Sequence, residues 1–327
     1  MPILNIQICF EGILGYDILI AEYMERRDIY MDIRVLRYFL MVAREGSFSA
    51  AAKALYISQP TLSRQIRDLE EELGVSLLIR TNRSVVLTKE GMRFHKRAQE
   101  IVDLADMTRE EFAQPVEEIS GSVYIGAGET GAMRVIVQAA TQMRHDHPGV
   151  HFHLHSGNSD DVLQRLEKGL IDFGVLIEPV HLDKYEALRL PCYDRWGILM
   201  RRDHPLASLA EITPKDIEGI PMMSSRQSAV AKYMEDWLGD RAQRLNLVGT
   251  YNLIFNAALM VESGMVCLFC LDHLVNTRDH TNLCFRPLSP RMEAGVHIVW
   301  KKTQIFSPAA ETFLQYMRSL CVETQNM

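Results

Sequence analysis

Residues 48–67 read FSAAAKALYISQPTLSRQIR, and their spacing predicts two short helices joined by a tight turn. Ala50, Ala51, Ala52, Ala54 and Leu55 make a small-residue helix against which another helix can pack closely. Tyr56, Ile57 and Ser58 form the turn, with Ile57 as its buried plug. Ser58 is an N-cap candidate, because its hydroxyl can accept a hydrogen bond from an orphan amide of the next turn. Pro60 suits that first turn, where no N–H is needed. In the second helix Leu62, Ile66 and Leu69 recur at i, i+4 and i+7 and turn inward. Gln59, Thr61, Ser63, Arg64 and Arg67 are left outward. Their amides, hydroxyls and guanidinium groups are the types that meet base edges and phosphates in a DNA major groove. The alternative is an ordinary helical hairpin with a solvated polar face, since turn-linked amphipathic helices are common.

The flanks favour the DNA-reading version. Upstream, Leu36 to Ala43 form a third helix with apolar residues on one side. Downstream, the recognition helix runs through Glu70-Glu71-Glu72-Leu73 and stops at Gly74. Leu77 to Leu87 then read as two short strands around a polar turn. That is a wing, with Arg80 and Arg83 placed to touch backbone or minor groove.

With these residues in view, positions 31 to about 90 resemble the DNA-binding domain of the LysR-type transcriptional regulators. The resemblance rests on Leu36, Phe39, Ala43, Gly46-Ser47-Phe48, Ala51-Ala52, Leu55, Ser58-Gln59-Pro60, Leu62-Ser63, Ile66, Leu69-Glu70, Leu73-Gly74, Leu78, Arg80, Arg83, Leu87-Thr88 and Gly91. Ile79 departs from the Phe usual in that family and is expected to keep an apolar plug there.

A chain of 327 residues suggests two or three folding units. Its 47% hydrophobic and 24% charged content fits a globular protein. No apolar run reaches the ~18 residues of a membrane span. The first residues lack a basic stretch and contain Glu11 and Asp17, which makes them a poor signal peptide. A cytoplasmic protein is expected. The net charge of −7 is unevenly spread. Residues 1–30 hold two arginines against five acids, whereas residues 31–90 hold nine basic against seven acidic residues. The positive charge therefore lies where phosphate contacts are expected, and salt confines such attraction to ~10 Å. Cys9, Cys192, Cys267, Cys270, Cys284 and Cys321 read as reduced thiols in a chain without a secretion signal.

Residues 1–30 fit no part of the family pattern, which begins at Met31. A translated leader is expected, since Arg26-Arg27 can be encoded by a purine-rich ribosome-binding sequence three codons before Met31. A genuine extension packed on the wing domain is the alternative. Residues 31–88 are then the winged helix-turn-helix, and residues 89–117 a linker and dimerisation helix capped by Thr88. Met92, Ala98, Ile101, Val102, Ala105 and Phe112 approximate a heptad stripe in it. One narrow stripe needs a partner helix, and half-site DNA recognition needs two-fold symmetry.

From residue 118 to 327 the pattern becomes α/β, with strands alternating with helices as in a parallel sheet. Strands are expected at Ser122–Gly126, His151–Ser156, Asp172–Ile177, Trp196–Met200, Leu245–Thr250, Met265–Leu271 and Val296–Lys301. Helices are expected at Thr130–His145, Asp160–Gly169, Ser228–Leu238, Asn252–Ser263 and Pro308–Leu320. Two lobes follow, one from residues 118–192 and 287–327 and the other from 193–286, joined by two crossings around a cleft. This part resembles the family's effector-binding domain, a fold similar to periplasmic solute-binding proteins. The matching pieces are Gly121 to Gly126, His147 to Val150, Gly169 to Phe173, Asp203 to Leu206 and Val261 to Met265.

A small molecule in such a sheet sits beyond the strand carboxyl ends, at helix N-termini. Four loops qualify: Glu129 and Thr130; Gly157 and Asn158; Ser224, Ser225, Arg226 and Gln227; and Tyr251 and Asn252. Thr130, Asn158, Ser225 and Asn252 read equally as plain helix caps. Arg226 supplies the one full positive charge of the set, which points to a carboxylate or other anionic effector. Glu129 points the other way, to an amino or hydroxyl group.

Two constellations suggest other chemistry. His151, His153 and His155 share one strand face with His145 and His147 just before it, but no cysteine or carboxylate completes a metal set. Protonation-sensitive dimer contacts and a plain solvated face are the other readings. Cys267 and Cys270 have redox-motif spacing, yet in a strand they point to opposite faces about 10 Å apart. No nucleotide-binding, hydrolase or metalloprotease motif occurs. The expectation is a non-enzymatic regulator, without cofactor or metal. The resemblance implies a homodimer or homotetramer on double-stranded DNA carrying an interrupted inverted repeat, with RNA polymerase as a further partner. A ligand-independent DNA binder and a thiol redox protein using Cys267 and Cys270 are the rivals.

Overall fold

The structure is a computed structural model that describes residues 31–81, 84–112, 119–180, 182–226, 228–278 and 281–325. The expectations for residues 1–30, Arg83 and Gln227 lie outside these. The chain divides into two compact units between Asp106 and Met107.

In the first unit, α1 (Ile33–Glu45) is capped by Asp32, which accepts from the Arg34 N–H, and ends at Gly46 with φ 60°. α2 (Phe48–Ala54) is capped by Ser47, and α3 (Gln59–Leu73) by Ser58. Gly74 closes α3 at φ 67°, a left-handed conformation that suits a residue without a Cβ. Leu36, Phe39, Val42, Ala51, Ala52, Leu62, Ile66 and Leu69 bury their side chains together. Removing one of the large ones would cost about 2–5 kcal/mol. Ile57 packs against this core but is only partly buried. The wing is β1 (Leu78–Arg80) paired antiparallel with β2 (Val85–Leu87). Ile79 is 50% exposed, so it does not plug the core as expected. Strand alternation explains this, because Leu78 takes the inward position beside it.

α4 (Lys89–Phe112) opens with the Gly91 N–H donating to Thr88 Oγ1 at 2.8 Å. A Cβ on Gly91 would lie 2.0 Å from the Leu77 carbonyl oxygen, so helix and wing approach as only glycine permits. The expected single stripe is split in two. Ala98 and Val102 join the core of their own domain, while Met92, Ile101 and Phe112 stay exposed together with Leu104.

The second unit holds one nine-stranded sheet. Its strands are β3 (Gly121–Ala127), β4 (Val150–Ser156), β5 (Phe173–Ile177), β6 (Tyr185–Arg201), β7 (Pro221–Ser225), β8 (Asn246–Tyr251), β9 (Cys267–Leu271), β10 (Leu283–Pro287) and β11 (Glu293–Lys301). Its helices are α5 (Met133–Asp146), α6 (Ser159–Glu167), α7 (Ser228–Leu238), α8 (Ile254–Glu262) and α9 (Pro308–Gln325). The order is β4-β3-β5-β11-β6-β9-β7-β8, with β10 also on β6. β3 pairs parallel with β4 and β5, and β7 parallel with β8 and β9. β11 runs antiparallel to both its neighbours, so the sheet is mixed rather than wholly parallel.

The expected strand at Trp196–Met200 is the end of a much longer one. β6 pairs with β11 along its first part and with β9 and β10 along its last. It thus crosses from one lobe to the other without a break. β7 and β10 were not expected. Each lobe has its own core, the first around Phe173, Phe313 and Met317 and the second around Ile198, Met222 and Phe269.

Candidate DNA-reading helix and effector cleft

α3 presents the face its sequence implied. Gln59, Thr61, Arg64 and Arg67 are exposed and Ser63 is half-buried, opposite the buried Leu62, Ile66 and Leu69. Ser58 Oγ accepts the Thr61 N–H at 3.3 Å and shares a 2.7 Å hydrogen bond with Thr61 Oγ1, while Pro60 fills the first turn. These bonds fix the end of the helix that would enter a groove. Arg64 is 81% exposed, and its nearest carboxylate is Asp68 at 3.9 Å. It is free to extend.

Arg80 behaves differently. Its guanidinium donates to Ser63 Oγ at 3.2 Å and to Glu70 Oε2 at 3.4 Å, and lies 4.7 Å from the Phe48 ring centroid. The other Glu70 oxygen takes the Leu77 and Leu78 N–H groups at 2.7 and 3.0 Å. Arg80 and Glu70 therefore fasten the wing to α2 and α3.

In the second unit a cavity of about 430 Å³ opens between the lobes. Glu129, Gly157, Ser225, Tyr251 and Asn252 line it, as expected. Of the remaining expected residues, the four that are described, Thr130, Asn158, Ser224 and Arg226, do not. Thr130 is buried, donating to Asp194 Oδ2 and accepting the Ala132 N–H. Asn158 is buried as the N-cap of α6 in a capping box with Asp161. Ser224 is buried within β7, and Arg226 is exposed outside the cavity wall. The anionic effector thereby loses the charge on which it was argued. Lys232 is the basic residue of the described lining, against Glu129, Asp160 and Glu178.

The alternative for Asn252, a plain helix cap, does not hold, because the α8 N-cap is Leu253, which offers no side-chain acceptor. Glu129 takes that role from the opposite lobe, where its Oε2 accepts the Ile254 N–H. Burial raises the Glu129 carboxyl above its ordinary value, and this hydrogen bond partly offsets the effect. Burial likewise raises the Tyr251 phenol, whose OH donates to the Phe269 carbonyl at 2.9 Å. The lining that was missed includes the charged Asp160, Glu178 and Lys232 and a set of apolar walls, Leu163, Ile177, Val180, Trp196, Leu271 and Leu274. Applying the strand-end rule to Ile177-Glu178 after β5 would have found part of them.

Cys267 and Cys270 are buried free thiols in the cores on opposite faces of β9. Burial pushes Cys267 up to about 11 and Cys270 higher still, the reverse of a nucleophilic thiol. His153 stacks on Tyr124 at 4.6 Å and shares a 3.2 Å hydrogen bond with Ser122. Among the described residues no three His, Cys, Asp or Glu side chains gather as a metal site.

Comparison with known proteins agrees with this architecture. The model of the bacterial regulatory helix-turn-helix protein, lysR family, matches residues 33–92, and that of the LysR substrate binding domain matches residues 116–322. The Hca operon transcriptional activator HcaR of Escherichia coli is 28% identical over 289 residues, 87% of this chain and 96% of that protein. The DNA-binding transcriptional dual regulator OxyR of Escherichia coli is 31% identical over 190 residues, 58% of this chain and 62% of its own length. The crystal structure of CbnR, a LysR family transcriptional regulator, superposes with a TM-score of 0.71 at 18% identity, covering 89% of this chain and 99% of CbnR. CbnR complexed with its target DNA gives a TM-score of 0.69 at 19% identity, covering 89% of this chain and all of that one.

Proposed function

The chain belongs to the LysR family of DNA-binding transcription regulators with an effector-binding domain, and from that premise we propose how its own residues divide the work. Gln59, Thr61, Ser63, Arg64 and Arg67 read the major groove, with Ser58 and Pro60 setting the entry of α3. The observation that carries this is the exposed polar face of α3, whose Arg64 is 81% exposed and, among the described residues, meets only the Asp68 carboxylate, at 3.9 Å. Arg80 holds the wing in register with that helix, supported by its bonds to Ser63 and Glu70. Two copies bind the two halves of an interrupted inverted repeat, as a dimer or a dimer of dimers. Exposed Met92, Ile101, Leu104 and Phe112 of α4 supply the pairing surface.

The cavity between the lobes takes a small molecule, and its occupancy changes lobe closure and so the spacing or bend imposed on DNA. RNA polymerase is the downstream partner. The protein works in the cytoplasm, in keeping with the lack, among the described helices, of any long and apolar enough to cross a membrane. It acts by binding and performs no catalytic step. Selection of preferred sites from random duplex DNA tests the reading. The full chain should enrich a split palindrome, and Gln59→Ala and Arg64→Ala should each relax it by about 1–3 kcal/mol at the contacted base pair. Unchanged preference in both variants would remove those two residues from the interface.

A further inference from the structure

With the cleft taken as the effector site, we propose that the effector is an amine, carrying an ammonium group on an apolar body, and that Glu129 is the residue that holds the ammonium. The first amides of a helix and its dipole form a ready seat for an anion. In α8 the N-cap is Leu253, which supplies no acceptor, so the seat would be open to a ligand carboxylate. It is already filled, because the Ile254 N–H donates to Glu129 Oε2 from across the cleft. The protein thus places its own carboxylate where an anionic effector would bind.

A second carboxylate brought by a ligand would face Glu129, with Glu178 and Asp160 on the same lining, and like charges in one site repel. Lys232 does little to offset them, being 78% exposed and 4.0 Å from the Asp236 carboxylate on its own helix. An incoming cation meets the opposite conditions. Glu129 bonds through one oxygen to Ile254, which leaves acceptor capacity on the carboxylate. Its burial already raises its pKa, the mark of a carboxylate short of counter-charge. Glu178 is a poorer anchor. Its Oε2 takes the Gly295 N–H at 3.0 Å, and Oε1 lies 3.6 Å from Arg189 and 3.8 Å from His297. Around Glu129 the apolar walls, Leu163, Ile177, Val180 and Trp196 among them, suit a hydrocarbon or aromatic body.

The test uses the full chain and two matched probe sets at millimolar concentration. One is phenethylamine, 2-phenylethanol and phenylacetate, and the other cyclohexylmethylamine and cyclohexanecarboxylate. Thermal unfolding and tryptophan fluorescence are followed, since Trp196 lines the cavity. The amines should raise the melting temperature and perturb the fluorescence, while the alcohol and the carboxylates do neither. Glu129→Gln should weaken amine binding roughly tenfold or more. If that variant unfolds for want of the α8 cap, Glu129→Asp, which keeps the charge but shortens its reach, gives the comparison. The charge preference of the unaltered protein also stands without any variant. Binding of the carboxylates in place of the amines overturns the inference but leaves the cleft as the effector site. Silence of both amines, or amine binding indifferent to both Glu129 variants, overturns it as well. Any response that survives filling the cavity with Leu163→Trp would count against the cleft itself.

Discussion

Replacing Arg80 by alanine should separate two roles that the helix-turn-helix sequence merges. In the folded protein its guanidinium lies over the Phe48 ring at 4.7 Å, donates to Ser63 and pairs with Glu70, while 40% of the side chain remains exposed. A half-exposed cation–π contact contributes about 0.5–1 kcal/mol. A hydrogen bond to a hydroxyl adds ~1 kcal/mol, and an exposed ion pair adds less than ~1 kcal/mol. Contacts shared by one side chain do not add in full. Arg80→Ala should therefore cost the first unit about 1–2 kcal/mol, or roughly 5–15 °C of melting temperature for a domain of this size. The assay can isolate that unit, because Trp196, Trp237 and Trp300 all belong to the second. Far-UV circular dichroism should show the early transition shifted, while the tryptophan transition stays in place. Arg64→Ala is the control. It should lower DNA affinity with both transitions unmoved, since a surface change of this kind stays within about 0.5 kcal/mol of neutral. An Arg80→Ala protein whose circular dichroism transition is unchanged, and whose DNA binding is weakened as much as that of Arg64→Ala, would refute the structural role. Arg80 would then touch DNA and contribute nothing at home.

Gly91→Ala should unfold or severely destabilise the DNA-binding unit, because the new methyl would sit 2.0 Å from the Leu77 backbone oxygen; circular dichroism of the variant decides it. Ser58→Ala should cost ~1 kcal/mol of helix capping at the reading end of α3 and weaken operator binding with it, measured by urea unfolding and DNA titration. Burial holds Asp172 up at about 6, above the ~3.9 of an unfolded aspartate. Its contribution to stability is thus complete below about pH 4 and lost as the pH rises through 6. Asp172→Asn can still accept the Tyr124 N–H. Its unfolding free energy from urea titration, read by tryptophan fluorescence, should draw ahead of the parent between about pH 4 and pH 6 and stay ahead above by ~3 kcal/mol. Native Cys267 and Cys270 should react slowly with thiol reagents at neutral pH and quickly only after unfolding, whereas two fast thiols would revive a redox role.

The DNA-reading unit was legible almost residue by residue because its signals are local. Caps, a proline, a terminal glycine and an i, i+4, i+7 stripe all act within one or two turns. Ile79 and the α4 stripe escaped because burial there depends on which neighbour takes the inward place. In the second unit, the helix at Ser228–Leu238 was legible in place and length from its sequence alone. β7, β10 and the first half of β6 were not, since pairing partners far along the chain determine them. The cleft shows the same divide. Strand-end loops were found by rule, but Thr130 and Asn158 turned inward to satisfy backbone and Asp194. The cap of α8 came from Glu129, 125 positions away.

The unbroken course of β6 has a mechanical consequence. A pair of jaws on flexible hinges would swing freely and stop only at contact. Here seventeen residues of one strand belong to both jaws, and the ladder to β11 shifts register between Gly295 and His297, near the crossing. Moving one jaw must wind that ribbon against its own hydrogen bonds, so displacement is resisted in proportion and recovers when the load leaves. The second unit behaves as a torsion bar. The strength of its answer to a ligand is then set by the stiffness of the bar as much as by the grip of the jaws.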